Sequence, residues 1–286
     1  MLIAVLGVMP YARGASTFVP NFAIGNDYVK WYYGCGPTAG GSIASYWDRN
    51  GYSNLIQGAI DDNIASTRHI EYWYQTPPSN RGNTAAYGTN NDPFVGSDDF
   101  DCIADFMGTS RYNYPKPTVG NYELSNGSTL ANSGGNDNYL DIRSGMKNYS
   151  SYRGYSIECV NNEHVSMGFG DGLLTWANFT AEIDDGRPVI FLVDSDGNGS
   201  TDHFVPVFGY NDSNEYFCYD EWGDTGGIGD GGRWETFAGL GNVFGVGFMT
   251  TMGFGASPEP QAFIMMIICV SVFSPLASRK YYRSRH

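Results

Sequence analysis

Charge is scarce in this sequence, and basic charge scarcest: charged residues make up 16% of the chain, with 16 Lys and Arg against 30 Asp and Glu. A chain with net charge −14 and no basic stripe excludes nucleic acid as a partner, because phosphates would be repelled rather than neutralised. No period of roughly 20–50 residues is present, which excludes a repeat array. The P-loop and dinucleotide fingerprints are missing. None of the 4 His pairs with a Cys at ligand spacing, which speaks against zinc. Cysteine is thin and odd in number at 5. Cys269 lies in a hydrophobic tail. One disulfide among Cys102, Cys159 and Cys218 would suit an oxidising compartment, but the sequence picks no pair and leaves at least one of the three free.

What is plentiful points to sheet. Gly (38), Tyr (21) and Phe (17) are high, and aromatic residues favour strands. The length suffices for a sizeable core in one large domain or two small ones.

Both ends read as export signals. Met1–Met9 is apolar and runs into Tyr11-Ala12-Arg13-Gly14-Ala15-Ser16, a signal-peptide core with a small-residue cleavage zone. The basic n-region is missing, as in a leader truncated at its start; the alternative is an N-terminal buried strand. At the other end Ser257-Pro258-Glu259-Pro260 precedes an apolar stretch from Ala262 to Ala277. Arg279, Lys280, Arg283 and Arg285 follow as a positive-inside stop. That order resembles the PEP-CTERM sorting signal of Gram-negative bacteria. The resemblance implies an exosortase-type partner, passage through the inner membrane, and a destination at the cell surface or outside. A plain C-terminal anchor is the alternative. The expected division is a leader over 1–15, a working domain over 16–255 and a sorting segment over 256–286.

Within the domain, Tyr33-Gly34-Cys35-Gly36-Pro37-Thr38 places a cysteine at the mouth of a helix. Pro37 suits the first helical turn, and Ala39, Ile43 and Trp47 fall on one stripe. Unpaired N–H groups and the helix dipole at that mouth favour thiolate, the nucleophilic form. Asp48–Tyr52 holds the helix stop. Residues 53–100 and 120–138 are rich in turn formers and read as loops. Short helices are expected at Cys102–Met107, Leu140–Tyr149 and Leu174–Ile183. Pro188–Val193 is a wholly apolar run, a buried central strand. Phe204–Tyr210 and Glu215–Tyr219 form a hairpin, and Asn242–Thr250 is a further strand. Helices first and an antiparallel sheet later is the α+β pattern.

The hairpin carries a base and a partner. A four-residue loop puts Asn211 opposite Asn214, hence Val205 opposite Asp220 and His203 opposite Trp222. His203 and Asp220 then share a face as diagonal neighbours about 7–8 Å apart at Cα. A carboxylate on one ring nitrogen leaves the other for a thiol, with Trp222 placed to shield the contact. His69 is the reserve base; His164 and His286 read as ordinary residues.

Gly34-Cys35-Gly36-Pro37-Thr38-Ala39, Gly186-Arg187-Pro188-Val189, Asp202-His203-Phe204-Val205 and Tyr219-Asp220-Glu221-Trp222 together resemble the papain-like cysteine peptidases, in particular domains similar to the double-glycine (bacteriocin leader) peptidases. The resemblance spans most of 17–250. It implies a Cys-bearing N-terminal helix packed on an antiparallel sheet carrying His and Asp, with Cys35 as nucleophile, His203 as base, Asp220 as orienting residue and a peptide or protein as substrate. The family's oxyanion Gln, six residues before the Cys, is replaced here by Val29; Asn26 or a main-chain N–H beside Cys35 would have to serve. No cofactor is implied. Asp194, Asp196, Asn198 and Asp202 match the front of an EF-hand calcium loop, with Gly197 in the turn but Val205 where the bidentate Glu belongs; the alternative is an Asp/Gly-rich hairpin that holds His203. Two functions follow: an exported cysteine peptidase, or a non-catalytic surface or matrix protein that uses the same fold as a binding module.

Overall fold

The computed structural model describes residues 15–29, 34–64, 102–107, 142–164, 173–222 and 231–254, all in the compact unit Met1–Phe254. His69, His286, Cys269, the expected export segments apart from Ala15, the expected loop at 120–138 and, beyond residue 64, that at 53–100 lie outside them, as do the side chains of Cys159 and His164. In chain order the elements are β1 (Ser16–Phe18), α1 (Cys35–Arg49), α2 (Asp61–Ile64), α3 (Ile103–Met107), α4 (Ile142–Tyr152), β2 (Ile157–His164), α5 (Trp176–Asp184), β3 (Val189–Asp194), β4 (His203–Asn211), β5 (Glu215–Cys218), β6 (Arg233–Thr236) and β7 (Gly245–Phe254). The strands form one sheet in the order β2-β7-β3-β4-β5-β6, with β1 also on β4, and the pairings are antiparallel. This is an α+β fold.

β3 is the middle of the sheet. It pairs with β7 on one side and β4 on the other, and every one of its residues is buried. A strand buried on both faces has no use for polar alternation, which is why Val189–Val193 is continuously apolar. Phe191 packs against Phe179 of α5 and Tyr216 of β5. Phe208 of β4 meets Tyr46 of α1. Helices therefore cover both faces.

α1 begins where Gly34 adopts φ 115°, a conformation open to glycine and strained for other residues. The helix is not amphipathic in the expected way: every residue from 35 to 44 is buried, and Ala39 and Ile43 form only part of its packed surface. Its small residues explain this. A Cβ on Gly40 would come within 2.7 Å of Met107 and Met146, and one on Gly41 within 2.6 Å of Ile64. α2, α3 and α4 thus close onto α1. At its far end Tyr46 donates to the carbonyls of Pro20 and Gly186, and Trp47 packs on Phe254.

The β4–β5 hairpin departs from the expected register and then returns to it. Its loop has three residues, not four: Tyr210 pairs with Tyr216, and Asn214 takes φ 58°. Three-residue hairpin loops end on a residue in this left-handed region. An irregularity between Val207 and Gly209 restores the step, so that Val207 opposes Cys218, and Tyr219 N–H donates to Pro206. The restored register is the one expected for Val205 and Asp220.

β7 starts later than the composition suggested, because Phe244 (φ 57°) and the Gly245 N–H bond to Asn242 make 242–245 a turn. β1, β2 and β6 were not expected at all. Cys102 and Cys218 are both buried thiols outside any disulfide, which leaves no pair among the three cysteines considered above. Among the described residues no helix is long and apolar enough to cross a membrane.

Candidate active site

His203 opens β4 and is 2% exposed. Its Nε2 lies 2.8 Å from the main-chain oxygen of Asp220. A carbonyl oxygen only accepts, so in the neutral ring Nε2 carries the proton and the lone pair is on Nδ1. Trp222 stacks on the imidazole at 4.6 Å between centroids, with Phe244 edge-on at 6.4 Å. Burial, with a smaller push from Arg233, brings the His203 pKa down to about 4 against the upward pull of the Asp220 carbonyl and of the Asp202 and Asp220 charges. The ring is neutral at pH 7 and able to accept a proton.

The structure brings His203 and Asp220 together, but through the backbone. The Asp220 carboxylate accepts instead from the Trp222 N–H at 3.3 Å and from Arg233 Nη1 at 3.5 Å. The cause is local. Glu221 adopts φ 61°, which folds the chain so that an N–H two residues on returns to the Asp side chain, as in an Asx turn. The same turn sets Trp222 over the ring. Glu221 itself is fully buried, neither carboxylate oxygen has a hydrogen-bond partner, and burial, then the neighbouring Asp220, raises its pKa well above the usual carboxylate range.

Cys35 is the first residue of α1 and is 0% exposed. Gly34 gives the helix mouth no side-chain cap. Asn26 does not belong to this end of the helix. It is exposed, and its neighbour Asp27, fully buried, is paired through both oxygens with Arg49 at the last position of α1. Cys35 begins α1 about 20 Å away along the axis. Val29, where the oxyanion Gln was expected, is buried at 3% exposure.

The calcium reading is replaced by its alternative. Among the described residues no group of three or more His, Cys, Asp or Glu could hold a metal ion. The acids of the 194–202 loop are spent on the loop itself. Asp194 accepts from the N–H groups of Asn198, Gly199 and Gly241 at 3.0, 2.7 and 2.8 Å. Asp196 holds Asn198, and Asp202 accepts from the Ser195 N–H and hydroxyl at 2.8 and 2.7 Å. Asp202 also donates its N–H to Val193, which fixes the start of β4 and hence His203. Burial alone would raise the Asp194 pKa, but these N–H donors hold it below its ordinary value. Replacing Asp194 by Ala strands three N–H groups and is expected to cost about 3 kcal/mol, measured as a fall in the denaturant midpoint.

Arg233 and Phe244 were not singled out in the sequence. Arg233 follows a Gly-rich run, and the only signal was the strand alternation of Arg233-Trp234-Glu235-Thr236. Its guanidinium lies 4.2 Å over the Phe244 ring and is paired with Glu235.

Comparison with known proteins covers part of the chain. Residues 112–239, less than half of the sequence, match the model of the Peptidase_C39 like family. The match relates the protein to cysteine peptidases. It contains His203 and Asp220 and begins after Cys35. No curated protein and no solved structure matches the chain.

Proposed function

We propose that the protein is a papain-like cysteine peptidase in which Cys35 is the nucleophile, His203 the general base and Asp220 the residue that orients the imidazole. The observation that carries this reading is the His203 ring itself, buried, neutral, fixed at Nε2 by Asp220 and covered by Trp222. A nucleophile supported by a base and an orienting group is the expected trio for covalent catalysis. Spacing supports Cys35 as the third member. Tyr46 packs on Phe208; from Phe208 back to His203 is about 16 Å along a strand, and from Tyr46 back to Cys35 is about 16 Å along a helix. The reading requires α1 to run parallel to β4, which would bring the thiol level with His203. The imidazole shares a face with Val205 and Phe191, whereas α1 meets Phe208 on the other, so thiol and ring would have to meet around the end of β4.

In this reaction the thiol proton passes to Nδ1 as sulfur attacks the scissile carbonyl carbon. The C–N bond then breaks, the imidazolium proton leaves with the amine, and water, deprotonated by His203, hydrolyses the thioester. The Gly36 N–H at the uncapped helix mouth supplies an oxyanion donor in place of a Gln side chain. Export on the 1–15 leader and the 256–286 tail belongs to the same proposal, supported by the order of the apolar and basic segments at the two ends.

One observation favours the second reading, a binding module without catalysis: Cys35 is fully buried. Iodoacetamide separates the two. Cys218 is buried, and burial raises its pKa well above that of a free thiol, so it stays slow. For a peptidase, peptide mapping finds Cys35 carboxamidomethylated at least tenfold faster than Cys102 and Cys218. Equal, slow labelling of all three thiols sinks the enzyme reading.

A further inference from the structure

Among the described residues the cluster around His203 contains one cation, the half-buried Arg233, and its position gives it a task. Arg233 stands on β6 opposite Cys218 of β5. Its guanidinium reaches Asp220 with Nη1 and Glu235 with Nη2, and its flat face covers Phe244. Phe244 in turn touches both His203 and Trp222. Arg233 and His203 thus sit against one aromatic ring, and Asp220 offers a different oxygen to each: carboxylate to Arg233, carbonyl to His203.

We propose that Arg233 is a positioning residue of the site, which holds the Asp220 carboxylate away from the imidazole and sets a fixed positive charge against the formation of imidazolium. The proposal deepens the peptidase reading and rests on it for its meaning in catalysis. The charged groups facing His203 are Asp202, just before it, Asp220 beyond β5, and Arg233 on β6. Glu221 lies beside Asp220, and Glu235 is paired with Arg233. β3 meets the strand there with Val193, and the turn before β7 contributes Phe244. Of these groups Arg233 alone opposes protonation of the ring. Without it, the Asp220 carboxylate loses one of its two donors, keeping the Trp222 N–H, and the repulsion disappears; both changes favour imidazolium. With it, the imidazole is kept a weak base that gives its proton up readily to a leaving amine.

The test is titration of the His203 ring by NMR in the full chain, for wild type, Arg233→Met and Arg233→Lys. Arg233→Met is expected to raise the titration midpoint by about one pH unit, and Arg233→Lys, which keeps the charge, to restore most of the wild-type value. Should Arg233→Met fold poorly because Glu235 loses its partner, the double variant Arg233→Met/Glu235→Gln is read in its place, with the same rise expected. A midpoint unchanged in the folded variant overturns the proposal. The acid limb of Cys35 alkylation should move with the midpoint. The ring titration does not depend on Cys35, so failure of the proposal and failure of the peptidase reading are separate outcomes.

Discussion

Replacing Cys35 by Ala is expected to remove peptide turnover, a loss of about six orders of magnitude, and replacing His203 by Gln a comparable one, because nucleophile and base act as a unit. Asp220→Asn is expected to behave differently. Where a carboxylate orients the imidazole, the amide presents the wrong group to the ring and costs about four orders of magnitude. Here Nε2 is held by the main-chain oxygen of residue 220, which Asn keeps. Asn also keeps an acceptor for the Trp222 N–H. The expected loss in kcat/KM is therefore within about tenfold, with Arg233 still paired to Glu235. Rates for the three variants on one chromogenic peptide decide the matter. A ten-thousand-fold loss in Asp220→Asn would show that the carboxylate moves onto the ring during turnover, and residual turnover in Cys35→Ala would remove Cys35 from the mechanism.

The contrast between Asp220 side chain and main chain marks the limit of what the sequence discloses. α1, β3 and the β4–β5 hairpin are legible because each is signalled locally: Gly34 and Pro37 at a helix mouth, an unbroken apolar run, and a polar loop between two aromatic strands. The partnership of positions 203 and 220 follows from register. Its survival depends on the irregularity at Phe208, which offsets a loop one residue shorter than expected, and no residue type announces that compensation. Which oxygen of Asp220 meets the ring depends on φ at Glu221, and a left-handed Glu is not predictable from composition. β2 carries Glu, Asn and His along its length and is a strand because β7 offers it a full ladder, from Ile157 opposite Phe254 to His164 opposite Phe248. β1 has three residues and depends wholly on β4. Arg233 was invisible for the same reason: its neighbours come from the pairing of β5 with β6. The three acids and the amide of the 194–202 loop misled in the opposite way, since acids that bind N–H groups and acids that bind calcium occupy the same sequence pattern.

The second large effect is on stability. His203 titrates near 6.5 when unfolded and at about 4 in the native protein. Between those values the unfolded chain binds a proton that the native chain does not, so stability rises with pH across the window and falls on acidification. Complete above pH 6.5, the difference amounts to about 3 kcal/mol lost by pH 4, and below that both states are protonated and the term is flat. Glu221 works with the opposite sign. Burial holds its native pKa well above 4.5, so above pH 4.5 the unfolded chain ionises first and stability declines as pH rises. Asp194, held below 3.8 by its N–H donors, acts only in stronger acid, where its contribution disappears as pH falls through its native pKa. Between pH 4.5 and 6.5 the two terms oppose each other, so urea midpoints measured from pH 3.5 to 8 should be nearly level there in the wild type, fall on acidification in Glu221→Gln, where the His203 term is unopposed, and fall with rising pH in His203→Gln, where the Glu221 term is unopposed. The two variants should thus tilt the same window in opposite directions. A His203→Gln profile as level as that of the wild type would mean that the buried imidazole is not a group that acid must protonate to open this fold.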